Sequence, residues 1–85
     1  MKATSKAVFA YLQSLDPDVN VTADDVAEEL DMGVKSVNGA FTASIQRKDL
    51  GYRQEAEIEL EDGTHKKVKF LKLNEDGYAF DLDAE

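Results

Sequence analysis

The chain has 85 residues, 18 of them acidic and 10 basic, for a net charge of −8, and it contains no cysteine. That length supports one small domain with a single modest core and excludes a second domain enclosing an elaborate active site. Without cysteine there are no disulfides or thiolate metal sites, and no run approaches the roughly 20 apolar residues of a bilayer span, so a soluble cytoplasmic protein with no membrane association is expected.

The first helix is predicted to begin after Thr4 or Ser5, either of which can cap the open amides of its first turn. It should bury Val8, Leu12 and Leu15, with Phe9 and Tyr11 at the flanks, and end at Asp16-Pro17, because the residue before proline is pushed out of helical geometry. Val19-Asn20-Val21 is too short for more than a brief strand. Thr22 is placed to cap a second helix; Asp25 three residues on partly mimics a capping box, and Val21 can staple onto Val26. In that helix Ala23, Val26, Ala27 and Leu30 recur at i, i+3, i+4 and i+7, which stacks them on one face. Asp31-Met32-Gly33 then makes a three-residue turn, and Val37, Ala40, Phe41 and Ser44/Ile45 repeat the helical pattern.

Gln54 to Leu60 alternates, with Glu55, Glu57 and Glu59 on one face and Ala56, Ile58 and Leu60 on the other, as in a half-buried strand. His65 to Leu73 is the returning strand, with Val68 and Phe70 directed inward. A two-residue Asp62-Gly63 turn would set Glu57 against Val68 and mix the faces. A three-residue Glu61-Asp62-Gly63 loop with Gly63 left-handed instead places Leu60 opposite Thr64, Glu57 opposite Lys67, Ala56 opposite Val68 and Glu55 opposite Lys69. Asn74 is placed to cap a short closing helix that returns Tyr78 and Phe80 to the core. The domain is expected to span residues 1–80, followed by a flexible acidic tail, 81–85. Its expected core is Val8, Leu12, Leu15, Val26, Leu30, Val37, Phe41, Ile45, Leu50, Ile58, Val68, Phe70 and Phe80.

The stretch Leu30-Asp31-Met32-Gly33-Val34-Lys35-Ser36-Val37 resembles the Leu-Gly-Leu-Ser-x-x-Thr/Ser-Val run of winged helix-turn-helix domains in MarR-type and related bacterial transcriptional regulators. Leu30, Met32, Ser36 and Val37 fit. Asp31 stands where glycine usually closes the helix, Gly33 where serine usually caps the next, and Asp49-Leu50 where relatives tend to carry Gly-Leu. Aspartate is among the few non-glycine residues that visit left-handed geometry, so both replacements are tolerable. Leu73 to Gly77 similarly resembles the Leu-Thr-x-x-Gly stretch that follows the wing. The resemblance implies an α+β winged helix-turn-helix: a three-helix bundle, a β-hairpin wing and a short closing C-terminal helix. It further implies that the third helix enters the major groove of double-stranded DNA, with no catalysis and no cofactor.

Charge bears on this directly, because affinity for phosphate comes from Lys and Arg displacing counterions, and a net −8 opposes it. The charge is uneven, however. Residues 16–31 carry seven acids and no base, whereas residues 32–53 carry Lys35, Arg47, Lys48 and Arg53 against Asp49 alone. On a wheel centred on Val37 and Phe41, the outward face of the third helix is Lys35, Asn38, Gly39, Thr42, Ala43 and Gln46, without an acid. Lys35, Asn38, Thr42 and Gln46 are the candidate base contacts, and Arg47, Lys48 and Lys66 the candidate phosphate contacts. An ordinary solvated face is the competing explanation. Gly39 favours function, since glycine inside a helix costs about 1 kcal/mol relative to alanine. Lys67 and Lys69 are expected to pair across the hairpin with glutamates. The lone His65 forms neither a metal site nor a nucleophilic triad, and Asp24, Asp25, Glu28 and Glu29 read as a solvated helix face. The rival reading is an acidic module that docks on a protein partner through its third helix or wing; a homodimer paired through the first helix is also compatible.

Overall fold

The computed structural model describes residues 1–84 and is an α+β domain in which a layer of helices leads into a two-stranded antiparallel hairpin. The order is α1 (Ala3–Ser14), α2 (Ala23–Leu30), α3 (Val34–Phe41), β1 (Gly51–Glu59), β2 (His65–Leu73) and α4 (Glu75–Ala79). No helix among the described residues is long and apolar enough to cross a membrane.

Local chemistry sets most of the boundaries. The α2 capping box is complete: Thr22 Oγ1 accepts from the Asp25 amide at 3.2 Å, and the Thr22 amide donates to the Asp25 carboxylate at 2.9 Å. Asp31 ends α2 in left-handed geometry, at φ 54° and ψ 50°, and Asp49 takes φ 60° ahead of β1, so both aspartates occupy the conformation usually left to glycine. Asn74 caps α4 by accepting from the Gly77 amide at 2.8 Å. The start of α1 differs from expectation. It begins at Ala3 without a side-chain cap, and Ser5, buried inside the helix, accepts a hydrogen bond from Ser44 at 2.8 Å.

The helix of α3 does not stop at Phe41 but widens into a π-wound segment, Thr42–Gln46, closed by the Arg47 amide donating to the Thr42 carbonyl at 3.0 Å. The Leu50 amide reaches back to Ile45 in the same five-residue step, which brings the chain round into β1.

The hairpin register is the expected one: Glu55 lies opposite Lys69, Ala56 opposite Val68 and Glu57 opposite Lys67, with Gly63 at φ 85°. The face that packs inward is not. Gly51, Arg53, Leu71 and Leu73 share the face that lies on the helices, and Leu71 and Leu73 are buried, while Val68 and Phe70 are half-buried on the opposite face and Ile58 is 38% exposed. Two physical reasons account for this correction. Gly51 has no side chain, and a Cβ there would strike the Lys72 carbonyl oxygen and approach Ile45 Cγ2 to 2.7 Å, so the helices close directly onto the base of the sheet. The outer half of the hairpin extends past them, in a molecule 46 Å long but only 25 and 20 Å across, and residues 57–67 are exposed on both faces. The core is therefore Val8, Phe9, Leu12, Val21, Val26, Ala27, Val37, Ala40, Phe41, Ile45, Leu50, Leu71 and Leu73. Leu15, Leu30 and Phe80 lie at its margin, and Phe9, expected at a flank, is fully buried and stacked on Phe80 at 5.1 Å between ring centroids. Where a flexible tail was expected from residue 81, Leu82–Ala84 makes one 3₁₀ turn that sets Leu82 against the core; Glu85 lies outside the described residues.

Candidate functional site

Arg53 organises the surface between α3 and the hairpin. It sits two residue pairs above the base of the sheet, opposite Leu71, on the face turned toward the helices. Its guanidinium lies over the Phe41 ring, 5.0 Å from the centroid, and donates to four oxygens. Nε reaches Gln46 Oε1 at 3.1 Å, Nη1 reaches Asn38 Oδ1 at 2.9 Å, and Nη2 reaches Thr42 Oγ1 at 3.0 Å and the Asn38 carbonyl at 3.4 Å. Partial burial disfavours the charged form and moves its pKa below the ordinary arginine value. Cation–π attraction to Phe41 and the four acceptors oppose that desolvation, so the guanidinium is held rather than expelled.

Three of the four candidate base contacts, Asn38, Thr42 and Gln46, thus converge on one cation supplied by the next element. Sequence reasoning counted Arg53 as part of the basic segment but gave it no partner. The missing signal was the facing of the strand. Arg53 shares a face with Glu55 and Glu57, expected to point outward, and at the base of the sheet that face turns toward the helices and sets Arg53 above Phe41.

Lys35, the fourth candidate, is exposed in the first turn of α3. The exposed residues Ser36, Gly39 and Ala43 continue from it along the helix. Ser36, Gly39 and Ala43 themselves line an open groove between α3 and the start of α1, where Ser44 meets Ser5 and Lys48 joins the lining. Gly39 differs from the glycines required by close packing. At Gly51 or Gly77 a Cβ would strike a backbone oxygen, whereas at Gly39 it would meet nothing within 4 Å. Arg47 and Lys48 are exposed just beyond the π-wound segment, and Lys66 is exposed near the hairpin tip, paired with Ile58 on the face away from the glutamates. The structure therefore places Asn38, Thr42 and Gln46 in the Arg53 cluster, Lys48 in the groove and Lys66 on the hairpin, and leaves Lys35 and Arg47 exposed at opposite ends of the third helical segment.

The opposing charges on the hairpin are in register, but their side chains do not meet as expected. Among the described residues the contact between opposite strands' charged-type side chains is diagonal, His65 Nδ1 to Glu57 Oε1 at 3.2 Å, with both side chains more than half exposed. A contact this wet contributes at most about 1 kcal/mol. Glu57 reaches His65 past its direct partner Lys67.

No family model, curated protein or solved structure matches the chain.

Proposed function

We propose that this is a DNA-binding, transcription-associated winged helix-turn-helix domain that lays α3 in the major groove and performs no chemistry. The observation that carries the reading is Gly39. A glycine in the middle of a helix costs about 1 kcal/mol relative to alanine, and here no neighbouring atom and no positive φ demands it. Its value must lie in something that approaches from outside, and the surface around it, Lys35, Ser36 and Ala43, is small, polar or cationic and free of acids. A base edge brought against bare helix backbone fits that surface. Lys35 stands at one end of the helix and Arg47 and Lys48 at the other, positioned to hold phosphates, with Lys66 extending the set along the wing.

The acids of α2 and the C-terminal segment repel the same phosphates, so binding to arbitrary DNA is weak and specific contacts must supply the affinity. Titrating isotope-labelled protein with duplex DNA at low salt tests the reading. Amide shifts confined to residues 34–48 and the hairpin, collapsing as salt is raised, are the expected result. Shifts absent from 34–48 would sink it.

A protein-interaction module is the second reading, favoured by the exposed apolar side chains Tyr52, Ile58 and Leu60, of which Tyr52 and Ile58 share the hairpin face turned away from the core. It predicts no response to DNA and perturbation of residues 52–60 by a protein partner.

A further inference from the structure

The guanidinium of Arg53 has five N–H donors and no acceptor, so only oxygens can face it. That fixes the orientation of two otherwise ambiguous amides. Asn38 turns Oδ1 inward and Gln46 turns Oε1 inward, each leaving its NH₂ group directed away from the arginine, while Thr42 gives up a lone pair and keeps its hydroxyl hydrogen. No protein acceptor takes those NH₂ groups among the described residues. The two amides thereby turn their donor ends outward, and Thr42 keeps a hydrogen to donate. Asn38 and Thr42 lie about 6 Å apart along the axis at about 1.5 Å per residue, and the wider π-wound turn carries Gln46 further along the same face.

We propose that Arg53 is a positioning residue that sets base specificity: by drawing the amide oxygens of Asn38 and Gln46 toward itself it leaves their NH₂ groups, with the Thr42 hydroxyl, to face outward, which makes α3 a reader of acceptor edges, above all guanine N7 and O6, and turns it away from the amino edges of adenine and cytosine. This rests on the reading of α3 as the DNA-contacting helix. In the major groove guanine offers two acceptors side by side, whereas adenine offers an acceptor beside a donor and is recognised by an amide that keeps its oxygen available. Asparagine and glutamine would ordinarily favour adenine, so the arginine reverses the preference expected from the helix sequence alone. The device is rigid because Arg53 is fixed at both ends, its backbone in the base of the sheet opposite buried Leu71 and its head over buried Phe41.

Selection of bound duplexes from a randomised pool, with the wild-type chain and with Arg53→Met, tests it. Methionine keeps a stem over Phe41 and removes every donor, and a thermal melt confirms that the variant is folded. Wild type should enrich guanine at about three adjacent positions, and 7-deazaguanine at one of them should weaken binding about tenfold, since a bidentate contact is worth about 1–3 kcal/mol. Arg53→Met should still bind but shift toward adenine. If that variant fails to fold, the wild-type selection and the 7-deazaguanine substitution still decide. Wild-type enrichment of adenine, or indifference to 7-deazaguanine, overturns the role of Arg53 and leaves DNA binding standing. Failure to retain any duplex removes both.

Discussion

Replacing Gly39 with alanine should make the domain more stable and its DNA complex weaker. The added Cβ meets no atom within 4 Å and the residue is not at positive φ, so the folded state accepts it without strain. The gain is then the helix-propensity difference, about 0.8–1.0 kcal/mol. For a chain of 85 residues, an unfolding entropy of roughly 2 cal/mol/K per residue converts that into a rise in Tm of about 5 °C. At the interface the same methyl intrudes between helix backbone and base edge, and overpacking a close-fitting contact costs about 1–3 kcal/mol, a loss in affinity of roughly 5- to 150-fold. Thermal unfolding paired with fluorescence anisotropy on a selected duplex measures both. Few structural roles predict opposite signs in the two assays. A variant that is stabilised yet binds as wild type would refute the close-approach argument, and one that is destabilised would show that the helix surface is not open at this position.

Phe41→Ala should cost about 3–5 kcal/mol, enough to unfold most of a domain this size, because the ring is fully buried and also supports the Arg53 guanidinium; a cooperative melt near the wild-type Tm would refute its central place. Leu71→Ala should lose about 2–5 kcal/mol in urea unfolding and Ile58→Ala less than about 1, and the reverse order would mean the hairpin packs by its other face. Asn38→Ala should weaken a preferred duplex by about 1–3 kcal/mol with little effect on random DNA, whereas Lys66→Ala should weaken both and reduce the salt slope by about one. The Asp62 carboxylate accepts from the Thr64 hydroxyl and amide, which holds its pKa below the ordinary aspartate value. A depressed folded value means the ionised group supports the loop above the unfolded pKa and that this support is lost as pH falls through the folded one. Carboxyl chemical shifts in Thr64→Ala should show the midpoint moving back upward, and an unmoved midpoint would assign the depression to another cause.

Features settled by neighbouring residues were legible in the sequence. The Thr22 box, the left-handed aspartates and the three-residue loop each depend on backbone geometry within a few positions, and register followed because only one loop length keeps apolar and charged side chains on separate faces. Which face meets the helices is a different kind of question. The strand HKKVKFLKL carries apolar residues on both sides, Val68 and Phe70 on one and Leu71 and Leu73 on the other, and alternation alone is indifferent between them. The choice is made by residues far away in the chain: Ile45 closing over Gly51, and the Val21 carbonyl accepting from the Leu71 amide at 2.9 Å. The same distance hid the Arg53 cluster. Asn38, Thr42 and Gln46 form one helical stripe in the sequence, but what they face is decided by which side of β1 turns toward the helices, and that side carries Arg53.

The amide of Gln13, near the end of α1, donates to the carbonyls of Gly77 at 3.0 Å and Phe80 at 2.8 Å, contacts that span 64 and 67 residues of an 85-residue chain. Phe9 stacks on Phe80 beside them. Loops of that size close slowly, because the entropy lost in joining distant segments precedes any reward from the contact. The helices and the hairpin need only short loops and so can form ahead of this seam, which is expected to close last. Weakening Gln13 should accordingly speed unfolding while leaving the folding rate almost unchanged, the kinetic mark of an interaction made after the transition state.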